Sequence, residues 1–299
     1  MAAAKNKLLA AAVLLLVLAT TTVSGEYAPL IHMLRPLASS GGHLGRSGGV
    51  PCDSWRFAVE TNNARDWSTV PEHCERYVGN YMMGGHYARD SKAVVDEAVA
   101  YAESLNLTGT GKEVWVFDVD ETTLSNLPYY AKHGFGAEPY NSKEFGDYTK
   151  EANAPALPHS LRLFNRLKSL GIKPVILTGR REDKREDTAK NLERAGYYGY
   201  EKLLVKYTTH TCLLARPSNS STRVVVTNIL LLINQPHVID CRPQDARVSS
   251  LEFKAGERRK LEDAGYIIVG NIGDQWTDIL GAPEGGRTFK LPDPMYYVG

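Results

Sequence analysis

The sequence of 299 residues has almost no net charge, no internal repeats and, past its N-terminal segment, no apolar run long enough to cross a bilayer. Its formal charge is +1 and becomes −1 once the two lysines of the N-terminal segment are removed. A charge so close to zero argues against a general nucleic-acid binder. Because a second apolar run is missing, we expect a soluble mature chain without a membrane partner. At 43% hydrophobic and 23% charged residues, the composition is that of an ordinary globular protein with one large or two small domains.

The N-terminal segment has the pattern of a secretory signal peptide. Two lysines precede the apolar run from Leu8 to Ala19, and small residues at 23–25 offer a cleavage site. We therefore predict a signal peptide over residues 1–25, entry into the secretory pathway, and a destination in the extracellular space, cell wall or vacuole. The glycine-rich stretch within residues 26–50 is not a phosphate loop, because no Gly-Lys-Ser/Thr follows it. We interpret it as a flexible leader.

The rest of the chain is organised around an apolar run, Val114 to Phe117, that ends in Asp118 and Asp120. A continuous hydrophobic strand of this kind is typical of a parallel sheet that is buried on both faces. In such sheets the ligand crevice lies beyond the carboxyl ends of the strands. Side chains two residues apart in extended chain point the same way, so the two carboxylates would repel each other unless a cation or a shared proton relieves the repulsion. Oxygen ligands suit Mg²⁺, and we predict Mg²⁺ as the cofactor.

Strands and helices alternate along the remainder of the sequence. A second strand ends at Thr178, a third is predicted near 202–205, and a fourth runs over 266–270, with helical patterns between them. This order predicts an α/β fold with a doubly wound parallel sheet. The pattern from Cys52 to Leu107 indicates a helical N-terminal region, and a Gly- and Tyr-rich stretch within about 124–158 indicates a small lid.

The stretch Asp118-Val119-Asp120-Glu121-Thr122, placed after an apolar strand, resembles the first motif of the haloacid dehalogenase superfamily of phosphohydrolases. Over roughly residues 50 to 206 and 250 to 299 the sequence is similar to the plant acid phosphatase and vegetative storage protein family within that superfamily. The resemblance implies one acid phosphatase domain over residues 51–299 with a haloacid dehalogenase-like core.

This resemblance gives the candidate residues their roles. Hydrolysis of a phosphate monoester needs an in-line nucleophile, a proton for the leaving oxygen, and positive charge near the phosphoryl oxygens. We expect Asp118 to be the nucleophile that forms an aspartyl-phosphate, and Asp120 the general acid and then the base. The Thr178 hydroxyl and nearby N–H groups would hold a phosphoryl oxygen, and Gly179 would let the backbone approach it closely. The alternative for Thr178 is a turn residue, which is the more frequent role of a lone Thr at a strand end. Arg180 would either steer the phosphate or be solvated.

Two further motifs complete the predicted site. Lys254 matches the lysine motif of the family and would neutralise charge on the nucleophile and substrate, although a solvated helix face is the alternative for a basic run. Asp274 and Asp278 lie four residues apart, which on a helix places both on one face. With Asp118 and, by resemblance, the backbone carbonyl of Asp120, they would hold the Mg²⁺ in a Lewis-acid and templating role.

The secretory route makes disulfides and glycosylation plausible. Cys52 and Cys74 lie in stretches that resemble the N-terminal region of the family, and we expect them to pair. Asn106 and Asn219 begin acceptor sequons for N-glycosylation, which are also frequent by chance.

Residues from about 207 to 249 depart from the family pattern, because they replace a much shorter connection. The segment is either an extra strand or partner-binding hairpin, or a gene-model error or loosely packed loop, and we favour the second interpretation. It leaves Cys212 and Cys241 unassigned. Cys241 and Arg247 have the spacing of a cysteine phosphatase motif. We reject this motif because no His stands directly before Cys241, no glycines between the two shape a cradle, and no Ser or Thr stands directly after Arg247.

Together these observations predict a secreted or vacuolar, Mg²⁺-dependent acid phosphatase whose partner is a small phosphomonoester, with a homodimer as a candidate assembly. The alternative is a storage glycoprotein on the same scaffold with little or no activity. The presence of Asp118 favours the enzyme, because a storage-only relative can lose the nucleophile and this chain keeps it.

Overall fold

The computed structural model describes residues 49–206, 210–214, 239–243 and 248–299. The predicted signal peptide, nearly all of the predicted leader, and Asn219 lie outside these ranges. Residues Asp53–Gly299 form one compact unit. No helix in the described part of the chain is long and apolar enough to span a bilayer.

The helices and strands follow the predicted order. The N-terminal region is helical, as expected, and contains α1 (Cys52–Glu60), α2 (Glu75–Met83) and α3 (His86–Ser104). The strands of the main sheet are β1 (Glu113–Phe117), β2 (Lys173–Arg181), β3 (Lys202–Lys206), β6 (Ile267–Gly273) and β7 (Thr288–Lys290). The longer helices between them are α6 (Pro158–Ser169), α7 (Arg185–Arg194) and α8 (Ser250–Asp263). The short α9 (Trp276–Ile279) follows β6.

The five main strands form one parallel sheet in the order β3-β2-β1-β6-β7. The prediction of a parallel α/β sheet is therefore confirmed. The chain moves outward from β1 to β2 and β3, and then returns to place β6 on the other side of β1. In open sheets of this kind, ligands bind beyond the carboxyl ends of the strands where the strand order reverses. The sheet therefore directs attention to the loops that follow β1 and β6.

The central strand β1 is buried along its whole length, because its side chains enter the core on both faces of the sheet. Val114 and Val116 pack with an aliphatic cluster, while Trp115 stacks on Phe289 with 5.3 Å between ring centroids. Burial of each large apolar side chain stabilises the fold by about 1.5–3 kcal/mol. Gly270 is required beside β1, since a Cβ atom there would lie 2.4 Å from the Trp115 ring.

The stretch predicted to be a lid connects β1 to β2. It holds two helices, α4 (Leu127–Tyr130) and α5 (Ser142–Lys150), with a 3-10 turn at Gly134–Gly136 between them. The Asn141 side chain accepts hydrogen bonds from the first backbone N–H groups of α5 and so fixes the start of that helix. This segment forms part of the cavity wall described below.

The atypical segment contains two described strands, β4 (His210–Leu214) and β5 (Ile239–Pro243). They pair with each other in antiparallel register, from His210 opposite Pro243 to Leu214 opposite Ile239, and form a sheet separate from the main one. In its described residues this segment is therefore a pair of antiparallel strands.

Candidate active site

Asp118 lies where the sequence predicted, at the carboxyl end of β1. Its backbone N–H donates to the carbonyl of Ile272 (3.1 Å) and so continues the pairing of β1 with β6 by one residue. Its side chain is buried, and both Asp118 and Asp120 line a cavity of about 740 Å³ at this edge of the sheet. The sheet itself therefore fixes the position of the candidate nucleophile.

Arg180, near the end of β2, forms a two-nitrogen ion pair with Asp120. Its Nη2 lies 2.7 Å from Oδ1, and its Nε lies 3.1 Å from Oδ2. The amide Nδ2 of Asn126 donates to the same Oδ1 at 2.7 Å. Burial would raise the pKa of Asp120, but the charge and hydrogen bonds of Arg180, aided by Asn126, hold it below its usual value. The interpretation of Arg180 as a solvated residue is wrong.

Lys254 lies in the site rather than on a solvated helix face. Its ammonium donates to Oδ1 of Asp118 and to Oδ1 of Asp278, and the side chain is 5% exposed. Burial would lower the pKa of Lys254, but the two carboxylates raise it overall, so the group is cationic. The register of α8 starts from a capping box, in which Ser249 and Glu252 satisfy each other's backbone N–H groups.

Three buried carboxylates converge beside Lys254. Asp118, Asp274 and Asp278 each offer an oxygen, and these oxygens lie within 4.8 Å of one another. Burial raises the pKa of Asp118 to about 7, with Lys254 opposing the rise and Asp278 adding to it. Burial and the neighbouring carboxylates also raise the pKa of Asp274 well above its usual value. A divalent cation with oxygen ligands would relieve this repulsion, so the donor set fits Mg²⁺.

The reason that Asp274 and Asp278 converge differs from the prediction. They do not share a helical face, because α9 begins at Trp276 and Asp274 precedes it. Instead Asp278 reaches back, and its Oδ2 accepts the backbone N–H of Gln275 at 2.9 Å. Gly273 makes this possible, since a Cβ atom there would lie 2.3 Å from the Cβ of Asp278. The Gly-Asp pair is therefore needed for packing as well as for chemistry.

Thr178 and Gly179 are placed differently relative to the cavity. Thr178 is fully buried, and its hydroxyl accepts the backbone N–H of Arg180 at 3.1 Å. Gly179 lines the cavity, and a Cβ atom built on it would have no atom within 4 Å. Gly179 therefore offers open backbone to a ligand, whereas the predicted contact of Thr178 with a phosphoryl oxygen remains a prediction.

Several residues at the site carry no signal in the local sequence pattern. Glu121 is fully buried with a φ of 48°, and its carboxylate accepts the backbone N–H and the side-chain amide of Asn126. Glu121 belongs to the first motif, but its burial and its contacts with Asn126 do not follow from the sequence pattern. Arg258 is also fully buried and donates to four backbone carbonyls between Asp278 and Pro283. A fully buried arginine within a basic run cannot be distinguished by periodicity from its exposed neighbours.

The aromatic residues near the cavity come from two distant parts of the chain. Tyr130, Tyr140 and Phe145 lie on the segment between β1 and β2, while Tyr296 and Tyr297 come from the C-terminal residues. Together with the carboxylates and Arg180 they give a cavity lined by both charged and aromatic side chains. Such a cavity can take a small phosphoester, with its phosphate beside the charged groups.

The predicted modification sites have mixed outcomes. Cys52 and Cys74 are each disulfide-bonded, and their pairing with each other remains a prediction. Asn106 is exposed, as a used sequon requires, while Asn219 lies outside the described residues. Glycosylation at both positions stays a prediction.

Comparison with known proteins identifies a family and a fold. The family model described as HAD superfamily, subfamily IIIB (acid phosphatase) matches residues 42–220 and 234–299. Acid phosphatase 1 of Solanum lycopersicum is 39% identical over 249 residues, which cover 83% of this chain and 84% of that protein. Stem 28 kDa glycoprotein of Glycine max is 39% identical over 264 residues, covering 88% and 90%. Vegetative storage protein 2 of Arabidopsis thaliana is 38% identical over 249 residues, covering 83% and 80%.

A solved structure, the class C acid phosphatase from Bacillus anthracis, shares the fold with a TM-score of 0.54 at 20% identity, over 76% of this chain and 86% of that chain. The family match also shortens the part of the chain that departs from the family, which was predicted at about 207–249. It extends through residue 220 and resumes at residue 234, so only residues 221–233 fall between the matched parts.

Proposed function

The chain belongs to the acid phosphatases of HAD superfamily subfamily IIIB, and we propose that it is a secreted, Mg²⁺-dependent acid phosphatase acting on small phosphate monoesters. The observation that carries the proposal is the position of Asp118. It lies buried at the end of β1 with the Lys254 ammonium on one oxygen, and with Asp274 and Asp278 next to it. A nucleophilic carboxylate, a fixed cation and a set of metal-ligating oxygens are the parts that phosphoryl transfer requires.

In the first step an oxygen of Asp118 attacks the phosphorus. A bond from Asp118 to phosphorus forms while the ester bond to the leaving oxygen breaks, and the leaving oxygen takes a proton from Asp120. In the second step Asp120 removes a proton from water as the water oxygen attacks the aspartyl-phosphate. The bond between Asp118 and phosphorus then breaks, which releases phosphate, restores the Asp118 carboxylate and leaves Asp120 protonated for the next turnover.

Lys254 and the proposed Mg²⁺ offset negative charge in the site. Lys254 remains protonated and offsets negative charge on Asp118 and on the phosphoryl oxygens. Asp118, Asp274 and Asp278, with the backbone carbonyl of Asp120 predicted by resemblance, would hold Mg²⁺, which supplies Lewis-acid polarisation of a phosphoryl oxygen. The open backbone at Gly179 and the hydroxyl of Thr178 are proposed to bind the phosphoryl group.

The environment of Asp120 fits activity at acid pH. A general acid must be protonated when the substrate binds, and Arg180 favours the ionised form of Asp120. Because its pKa is held below the usual value, Asp120 reaches a sizeable protonated fraction only at acid pH. Arg180 also stabilises the ionised carboxylate that serves as the base in the second step.

Secretion is supported by three features of the chain. These are the N-terminal signal-peptide pattern, the disulfide-bonded state of Cys52 and Cys74, and the exposed sequon at Asn106. We place the mature protein in the extracellular space, cell wall or vacuole, with residues 26–50 as its leader and residues 51–299 as its catalytic domain. The segment 124–158 is proposed as the lid and a homodimer as the assembly.

A second candidate function is storage, since relatives of this chain are named as stem glycoproteins and vegetative storage proteins. A storage protein needs the fold but not the chemistry. The buried contact between Lys254 and Asp118, and the ion pair between Arg180 and Asp120, favour the enzyme. Both contacts bury charge, which is costly in a protein that serves only as a reserve of amino acids.

The deciding experiment is hydrolysis of a generic aryl phosphate by the mature chain, with and without Mg²⁺, across the acid to neutral range. Activity should appear with Mg²⁺, vanish on exhaustive chelation and return when Mg²⁺ is restored. The variant Asp118→Asn is the matched control, because it keeps the shape of the side chain and removes the nucleophile. A folded wild-type protein without activity under all these conditions would favour storage.

A further inference from the structure

The C-terminal residues reach back into the metal centre through Tyr296. Its hydroxyl lies 3.1 Å from Oδ2 of Asp274 and 3.2 Å from Oε2 of Glu121. Asp274 is a candidate metal ligand, and Glu121 directly follows Asp120 in the chain. A residue near the end of the sequence therefore contacts the loops that follow both β1 and β6.

Tyr296 completes a set of donors around Asp274. The other donor to Oδ2 is the side-chain amide of Gln275 at 2.8 Å, and Oδ1 accepts the hydroxyl of Thr122 at 3.1 Å. Donors on both oxygens fix the plane of the carboxylate and leave the remaining lone pairs for a cation. Outer hydrogen bonds of this kind orient metal ligands, and their loss typically lowers metal affinity about 10–100-fold.

The backbone around Tyr296 is held in place independently of its hydroxyl. Gln275 accepts the backbone N–H of Val298 at 3.1 Å and donates to Oδ2 of Asp293 at 3.0 Å. Gly136 leaves room for the same segment, since a Cβ atom there would lie 1.9 Å from the carbonyl oxygen of Met295. The C-terminal segment, defined here as residues 293–298, is therefore anchored on both sides of Tyr296.

The ring of Tyr296 also contacts the proposed lid. It stacks on the ring of Tyr130, with 5.3 Å between centroids and 18° between planes, and both residues line the cavity. One side chain thus contacts a metal ligand through its hydroxyl and the cavity wall through its ring.

We propose that Tyr296 is a positioning residue that orients Asp274 for the cation, so that the C-terminal segment is an integral part of the metal centre. This inference rests on the proposed Mg²⁺ site. It assigns a function to residues 293–298 that the motifs around Asp118, Lys254 and Asp274 do not identify.

The test compares Tyr296→Phe with Tyr101→Phe in the full mature chain. Tyr296→Phe removes one hydroxyl and keeps the ring on Tyr130. Tyr101→Phe is the matched control, because its hydroxyl also donates one hydrogen bond, to the carbonyl of Val269 at 3.1 Å, but lies on α3 outside the site. The Kd for Mg²⁺ is measured without substrate, by calorimetry and by the shift of Tm with added Mg²⁺, and Tm is measured in chelator for each variant.

We expect Tyr296→Phe to raise the Kd for Mg²⁺ about tenfold and to recover most of its kcat at saturating Mg²⁺. Tyr101→Phe should leave the Kd within about twofold of wild type, even if its Tm in chelator falls, because a lost hydrogen bond distant from the ligands does not reorient them. A Kd for Tyr296→Phe within twofold of wild type would overturn the inference, as would equal changes in the two variants.

A second variant applies if Tyr296→Phe does not fold. Val298→Pro removes the backbone N–H that donates to Gln275, at the chain end, and should weaken Mg²⁺ binding several-fold; unchanged binding would overturn the inference. If wild-type protein binds Mg²⁺ and hydrolyses substrate, and the variants bind Mg²⁺ with the same Kd, only the role of Tyr296 is contradicted. Wild-type protein that binds no Mg²⁺ contradicts the proposed metal site as well.

Discussion

The guanidinium of Arg180 donates hydrogen bonds from two nitrogens to the carboxylate of Asp120, and Asn126 donates to the same carboxylate. The arginine side chain is 5% exposed and the aspartate side chain 22% exposed, so water screens this pair only partly. The planar fork of arginine matches a carboxylate in a way that lysine cannot. Asp120 is therefore fixed in position and its ionised form is favoured, which constrains how it acts as an acid and a base.

The first prediction concerns Arg180→Met. Without the guanidinium, burial acts on Asp120 with less opposition, so its pKa should rise. The limb of the pH–rate profile that reports Asp120 should move to higher pH, and kcat/KM should fall by about 100-fold, in the range of acid–base contributions. Arg180→Lys keeps the charge without the planar fork, so its kcat/KM and pH–rate profile should lie between those of wild type and Arg180→Met. A pH–rate profile identical to wild type in both variants would show that Asp120 does not set that limb.

The second prediction concerns stability against pH in the metal-free protein. Asp118 has a folded-state pKa of about 7 against a reference value of 3.8, so the folded state keeps a proton that the unfolded state loses. The proton on Asp118 stabilises the folded state fully below about pH 4, and this stabilisation declines as the pH rises towards 7. The difference in unfolding free energy between wild type and Asp118→Asn should fall over that range by a few kcal/mol, since one pKa unit corresponds to about 1.4 kcal/mol.

Urea unfolding in chelator at a series of pH values measures this difference. Added Mg²⁺ should flatten the dependence, because a bound cation stabilises the ionised carboxylate. A difference that stays level or grows with pH would mean that Asp118 is ionised in the folded metal-free protein.

The third prediction concerns the pairing of Cys52 with Cys74. A digest analysed by mass spectrometry without reduction should contain one peptide pair joined through these two cysteines. Reduction should destabilise the protein by roughly 2–4 kcal/mol, because the unfolded chain regains the freedom of the closed loop. The double variant Cys52→Ser/Cys74→Ser should unfold like the reduced protein and respond no further to reductant. Linkage of either cysteine to a different partner would contradict the pairing.

The fourth prediction concerns the atypical segment. Deletion of residues 221–233, which lie between the two matched parts of the family, should leave activity unchanged and should keep or raise soluble yield. This stretch holds the whole apolar run from Val224 to Ile233, a composition that favours aggregation when exposed. The longer deletion, joining Lys206 to Ser250 by a short linker, should likewise keep activity and keep or raise soluble yield.

Soluble expression and aryl phosphate turnover, compared with the full mature chain, check both deletions. Loss of folding in the longer deletion alone would show that the pair β4 and β5 supports the domain. Loss of folding in both would show that residues 221–233 belong to the core, and would refute a gene-model error.

The parts of the site that the sequence predicted well are those fixed by local rules. An apolar run followed by Asp118 and Asp120 specifies a buried strand and two carboxylates at its end, because side-chain alternation and strand burial depend on neighbouring residues. The alternation of strand and helix patterns predicted the parallel sheet for the same reason. The prediction for Asp274 and Asp278 brought the correct residues together for the wrong reason, since the helix starts two residues later than the spacing rule assumed.

The fold class, the strand ends and the kinds of chemical group that lie there thus follow from local sequence patterns. The pairing of Asp120 with Arg180, 60 residues apart, and of Asp274 with Tyr296, 22 residues apart, comes from the packing of the folded chain. Neither pairing follows a periodicity, because each depends on how separate elements pack against the sheet. Burial then determines the charge states, since the same carboxyl group titrates differently beside an arginine than beside other acids. The sequence supplies the reacting groups, and their packing sets the charge and orientation with which each can act.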